Sequence, residues 1–138
     1  MRTDPHSVTD LTEGRTTDVH LDWEIDLQAR RIQGEATLRF ETAQAGTLHL
    51  DTRGLEVLEV YDDRGPIPWS WGTDDAVLGT PLVIERPTPS QTVRVRYRTG
   101  ANATALMWLS AAQTTGAPFV LTQCQCIHAR SIAPLQDS

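Results

Sequence analysis

The sequence predicts an all-β domain. Three observations carry that reading: period-two alternation of apolar and polar residues, turn residues at short intervals between the alternating runs, and no twelve-residue window with a helical apolar stripe before residue 100. At 138 residues a single domain is expected, large enough to bury a core without a disulfide or metal.

Residues 1–16 are polar and include Pro5 and Gly14, which reads as an N-terminal arm or frayed lead-in. Residues 17–138 then form the domain. Val19, Leu21, Trp23, Ile25 and Leu27 alternate with His20, Asp22, Glu24 and Asp26, the pattern of a half-buried strand. After a break at 28–31, Ile32, Gly34, Ala36, Leu38 and Phe40 face one way and Gln33, Glu35, Thr37 and Arg39 the other. The two runs make an antiparallel hairpin, and Gly34 fits a bulge. Short strands are expected at 47–51, 55–61, 67–71, 81–85 and 91–99. Turns are expected at 62–66 and at 86–90, where Pro87 and Pro89 fall, and residues 72–79 read as a loop. Val93, Val95 and Tyr97 point inward, while Arg94, Arg96 and Arg98 form a solvated face. An apolar run at 105–109, a loop at 110–118 and a strand at 119–127 complete the pattern.

Hydrophobic residues make up 39% of the chain and charged residues 22%, which fits a soluble globular domain. The net charge of −6 argues against a nucleic-acid partner, because phosphate contacts need clustered cations. All twelve basic residues are arginines, scattered from Arg2 to Arg130. No apolar run approaches the roughly 18 residues of a membrane span, and the polar start lacks the apolar centre of a secretory signal. The expected location is therefore cytoplasmic. Cys124 and Cys126 are expected to be free thiols, since residues two apart on an extended chain point the same way.

The most informative stretch is 122–130, TQCQCIHAR. On a strand, Gln123, Gln125 and Ile127 would share one side and Cys124, Cys126 and His128 the other. Each carboxamide both donates and accepts, which suits gripping a peptide backbone or an N-terminal amine. A solvent-exposed strand face is the competing reading. The cysteine and histidine side lacks the paired, widely separated ligand clusters of structural zinc and reads as buried, inert thiols beside a hydrogen-bonded histidine. His6, His20 and His49 form no HExxH arrangement. There is no nucleophile elbow and no phosphate-binding glycine loop, so no catalytic or metal-ligating residue is assigned. The acidic pairs at 62–63 and 74–75 read as turn chemistry. Trp69 and Trp71 would share a strand face and could serve as a sugar platform, although such residues more often pack in a core or on its rim.

A family resemblance extends this reading. Ala105-Leu106-Met107-Trp108-Leu109 followed by Gln113-Thr114-Thr115-Gly116 resembles the ALxWL…QTxG stretch of the leukotriene A(4) hydrolase and aminopeptidase B branch of the zinc aminopeptidases, the family that includes aminopeptidase N. Gln123-Cys124-Gln125, Ile127-His128, Arg130, Ile132, Pro134, Gln136 and Asp137 resemble the same family's QCQ-x-IH-x-R-x-I-x-P-x-QD block. Asp22, Asp26, Ile32, Gly34 and Leu50-Asp51-Thr52 resemble its opening strands. Cys126 stands where the family has a small residue such as alanine, and Leu135 where it has cysteine.

The resemblance implies a curved, saddle-like N-terminal β domain of mixed and antiparallel sheets, packed against a helical catalytic domain that carries zinc. It implies that Gln123 and Gln125 bind substrate, with Gln125 near the peptide carbonyl or the substrate's N-terminal end. The family's remaining β strands, GxMEN-type motif and HExxH zinc helix do not occur within residues 1–138, so the β domain is expected to be incomplete on its C-terminal side. Zinc is expected on the catalytic domain, and the isolated chain is expected to be inactive, because hydrolysis needs a metal to polarise the carbonyl and activate water. The expected partners are the catalytic domain and, with it, a peptide. An unpaired sheet edge would favour an edge-strand dimer. The alternative is a stand-alone β-rich module that binds a peptide or protein without enzymatic function.

Overall fold

The computed structural model describes residues 4–137; residues 1–3 of the predicted arm and Ser138 lie outside the described residues. Among the described residues eight strands form two sheets. The larger has β1 (Thr16–Asp26), β2 (Arg31–Leu50), β6 (Leu82–Arg98), β3 (Glu56–Asp62) and β4 (Gly65–Pro66) in that spatial order, with β5 (Trp69–Trp71) also on β6. The smaller pairs β7 (Leu106–Leu109) with β8 (Phe119–Thr122). All pairings between these strands are antiparallel, so the mixed component of the expected sheets is not found among the described residues. No helix among them is long and apolar enough to cross a membrane.

The core lies on one face of the large sheet. Ala36, Leu38 and Phe40 of β2, Val57 and Val60 of β3, and Val93, Val95 and Tyr97 of β6 are buried, and Ala133 and Leu135 of the C-terminal segment pack against them. Each fully buried Leu, Ile or Val contributes about 1.5–3 kcal/mol. On the opposite face the three arginines meet carboxylates: Arg94 Nη1 lies 2.7 Å from Asp63, Arg96 Nη1 2.9 Å from Glu59 and Arg98 Nη1 3.6 Å from Glu56. That face is solvated, as expected, and its exposed pairs add little stability each.

Four sequence expectations change. The runs at 32–40 and 47–51 are one strand, β2. The runs at 81–85 and 91–99 are likewise one strand, β6, with no turn at 86–90. The β2–β6 register shifts between Arg39 and Gly46, and only Gln44–Ser90 pairs across the interruption. The buried positions of β6 switch there from Leu82, Ile84, Arg86 and Ser90 to Val93, Val95 and Tyr97. This phase slip looks like a turn in sequence. Pro87 and Pro89 fit it because few ladder N–H groups are needed there.

Gly34 is not a bulge. It pairs directly with Trp23, and a Cβ built on it would lie 2.3 Å from the Asp22 carbonyl oxygen and 2.7 Å from Trp23 Cδ1. The alternating apolar face of β1 is not half-buried either. Val19, Leu21 and Ile25 are 36–46% exposed, because β1 is the sheet edge and little packs over it. Trp23 alone is tied inward, its indole N–H donating to the Tyr97 hydroxyl at 2.8 Å.

Residues 4–14 run across the domain, with Ser7 and Thr9 buried. Ser7 Oγ donates to Asp51 at 2.5 Å, and Glu13 accepts from the His49 backbone N–H at 2.8 Å. Arg86 donates to the Glu13 carbonyl at 2.5 Å and to the Gly46 carbonyl at 3.1 Å.

Candidate functional site

The expected strand at 119–127 ends at Thr122. β8 pairs with β7 only as far as Thr122–Leu106, and the last main-chain bond runs from Gln123 N–H to the Ala105 carbonyl at 2.9 Å. The chain then reverses. Gln125 N–H donates to the Gln123 side-chain oxygen at 3.0 Å, the Gln125–Cys126 peptide is cis, and His128 N–H closes onto the Cys124 carbonyl at 3.0 Å. Ile127 has φ 58°, a conformation β-branched residues rarely adopt, so its surroundings must hold it there. Those surroundings include His128 Nδ1 at 2.8 Å from Thr104 Oγ1, and Ser131 Oγ donating to the His128 carbonyl at 2.7 Å.

Gln123 and Gln125 are therefore not side by side on a strand face. Gln123 spends its side-chain oxygen on the loop, while Gln125, exposed, lines a cleft of about 440 Å³. The cleft's walls are Asp4 and His6 of the arm, residues 124–127 of the loop, and Asp137 near the C-terminus. Gln123 is not among its lining residues.

The thiols depart from the buried reading: Cys126 is exposed, and Cys124 is half-buried and unbonded to it. Burial, reinforced by the nearby Asp137 charge, pushes the Cys124 thiol above its ordinary 9.0. The Asp4 carboxyl is held below its usual range, chiefly because it accepts the His6 backbone N–H at 2.8 Å. Gln113, in the segment matching QTxG, folds back to accept from Ser110 N–H at 2.9 Å, so it shapes the β7–β8 loop.

A zinc ion does not fit these residues. No group of three or more His, Cys, Asp or Glu side chains that could hold a metal occurs among the described residues, and His128 Nδ1 is engaged by Thr104. The cleft can present carboxamide, carboxylate, imidazole and thiol groups to a polar ligand, but it assembles no nucleophile with a base and an orienting third group. Trp71 is 42% exposed beside a separate cavity, with Trp69 packed edge-on to it at 5.7 Å; that geometry is an aromatic pair rather than a flat sugar platform.

Asp4, His6 and Asp137 are cleft residues that local sequence reasoning did not single out as site residues. They reach it from opposite ends of the chain, and no local pattern marks such a convergence.

No family model matches the chain. Leucine aminopeptidase 2 of Phaeosphaeria nodorum is 32% identical over 144 residues, covering 98% of this chain and 23% of that protein. The Eremothecium gossypii protein of the same name is 31% identical, covering 99% and 23%. Native leukotriene A4 hydrolase from Saccharomyces cerevisiae superposes with a TM-score of 0.90 at 29% identity, over 99% of this chain and 24% of that one. A yeast LTA4 hydrolase structure in complex with bestatin gives 0.91 at 28% identity, over 99% and 23%. The chain thus spans about a quarter of the length of the curated relatives it matches. Similarity in both sequence and fold over nearly the whole of this chain means that it belongs with the N-terminal β domain of the aminopeptidase family of leucine aminopeptidase 2 and leukotriene A4 hydrolase.

Proposed function

We propose that this chain serves as the substrate-binding β domain of a zinc-dependent aminopeptidase. In this reading Gln125 hydrogen-bonds the N-terminal part of a peptide, Gln123 holds the Gln125 loop in shape, and the catalytic metal sits on a separate catalytic domain. The single observation that carries the reading is the position of Gln125 on the wall of the 440 Å³ cleft, at the chain reversal that the TQCQC segment builds. The names of the relatives support the activity, and the yeast LTA4 hydrolase structure in complex with bestatin supports a ligand site in such proteins. A neutral carboxamide can orient a peptide but cannot activate water, so the domain alone is without hydrolytic activity.

The test is an aminopeptidase assay of the 138-residue chain alone and of the enzyme that includes it. The chain alone turns over no substrate. In the enzyme, Gln125→Ala raises KM about tenfold, the loss of one hydrogen bond of about 1.4 kcal/mol, while kcat changes less. Chelator-sensitive activity from the chain alone, or an unchanged KM in the variant, would refute the proposal.

A further inference from the structure

The walls of the cleft come from the two ends of the chain, the arm on one side and residues 124–137 on the other, and one side chain reaches behind them. Arg130 is fully buried. Its Nε donates to Asp137 Oδ2 at 3.0 Å, and its Nη2 to the carbonyls of Asp137 at 2.8 Å and His6 at 2.7 Å. Nη1 donates to the Leu78 carbonyl at 2.8 Å and lies 3.4 Å from Asp51. Asp51, also fully buried, accepts in turn from Ser7 Oγ, Val8 N–H and Asp137 N–H at 2.5, 2.9 and 3.1 Å. His6 and Asp137 are cleft walls. The third wall, the Gln125 loop, runs directly into the short 3-10 turn Ala129–Ser131 that carries Arg130.

Apolar side chains could hold these segments together with less desolvation. A guanidinium differs in offering five donors at fixed angles, so it sets the spacing of its acceptors as well as holding them. We infer that Arg130, seated on Asp51, is the positioning residue of the cleft: it sets the separation of His6, Asp137 and the Gln125 loop, and so the orientation of the Gln125 carboxamide. The consequence for peptide binding rests on the proposed role of Gln125; the consequence for loop geometry does not.

The test uses the 138-residue chain and its own thiols as reporters. Arg130→Lys keeps the charge beside Asp51 but cannot span the four acceptors. Alkylation of Cys124 and Cys126 by iodoacetamide is followed by mass spectrometry under native conditions, with far-UV circular dichroism as the check on the fold. The expected result is a rise of about tenfold or more in the Cys124 rate with the β signature retained, since access and thiolate fraction both increase when Asp137 is released. Parental labelling rates in a folded but less stable Arg130→Lys would overturn the inference and leave Arg130 a stabilising residue only.

Hydrogen exchange on the unmodified chain gives a measurement independent of the variant's folding. The amides of Val8, Arg130 and Asp137, all bonded within this network, should open as one unit, and unrelated opening rates would equally overturn it. An unchanged KM in Gln125→Ala alongside accelerated Cys124 labelling would sink the peptide-binding role and leave the positioning role standing.

Discussion

Tyr97 should dominate the alkaline unfolding of this protein, and Tyr97→Phe should remove most of that dependence. The side chain is fully buried; its hydroxyl donates to the Ile132 carbonyl at 2.6 Å and accepts from the Trp23 indole at 2.8 Å. Burial pushes the phenol from 10.0 up to about 12, against the smaller opposing effect of the Trp23 bond. The folded state therefore holds its proton more tightly than the unfolded chain does. The stability from this group is fully present below pH 10.0 and is lost as pH rises towards about 12. At about 1.4 kcal/mol per tenfold change in proton affinity, the loss is on the order of 3 kcal/mol.

The chain makes the measurement clean. It has no lysine, which removes the commonest side chain that titrates in that window. The assay is urea unfolding followed by tryptophan fluorescence from about pH 8 to about pH 12. Tyr97→Phe should start lower, by about 1–3 kcal/mol, because the Ile132 carbonyl and Trp23 N–H lose their partner. The two curves should then converge at high pH. A gap that stays constant across the range would refute the reasoning and shift the alkaline sensitivity to Tyr61, whose phenol is also raised, by burial first and then by its hydrogen bond to Glu35.

Gly34→Ala should detach β1 from its register, since the new methyl meets the Asp22 main-chain oxygen; a loss of about 1–3 kcal/mol and a red-shifted tryptophan emission are expected, and a parental melting curve would contradict it. The unpaired outer edge of β1, with Val19, Leu21 and Ile25 exposed beside it, should drive self-association of the isolated chain at high concentration. Leu21→Lys should shift sedimentation towards monomer, and a parental chain that is monomeric throughout would remove the basis of the prediction.

Much of the scaffold was legible because period-two burial is a local signal. Val93, Val95 and Tyr97 face the core as their alternation requires, and Arg94, Arg96 and Arg98 face solvent. The readings that failed did so where non-local pairing decides. Residues 86–90 read as a turn because local rules score two prolines and a phase slip as a break, whereas β2 carries the strand through. The apolar stripe of β1 read as half-buried because alternation reports which side of a strand is apolar, not whether anything lies over it. The glutamines read as strand neighbours because nothing local in TQCQC marks the point where pairing to β7 stops.

The sequence by itself determined the all-β class, the hairpin of β1 and β2 and the family, since these rest on alternation and on the QCQ block, both readable from neighbouring residues. Only the tertiary structure decided that Gln125 lines a cleft with Asp4, His6 and Asp137, and that a buried Arg130–Asp51 pair stands behind it. The physical reason is sequence separation: Arg130 and His6 lie 124 residues apart, and their bond exists only once the sheet has brought both ends of the chain onto Asp51.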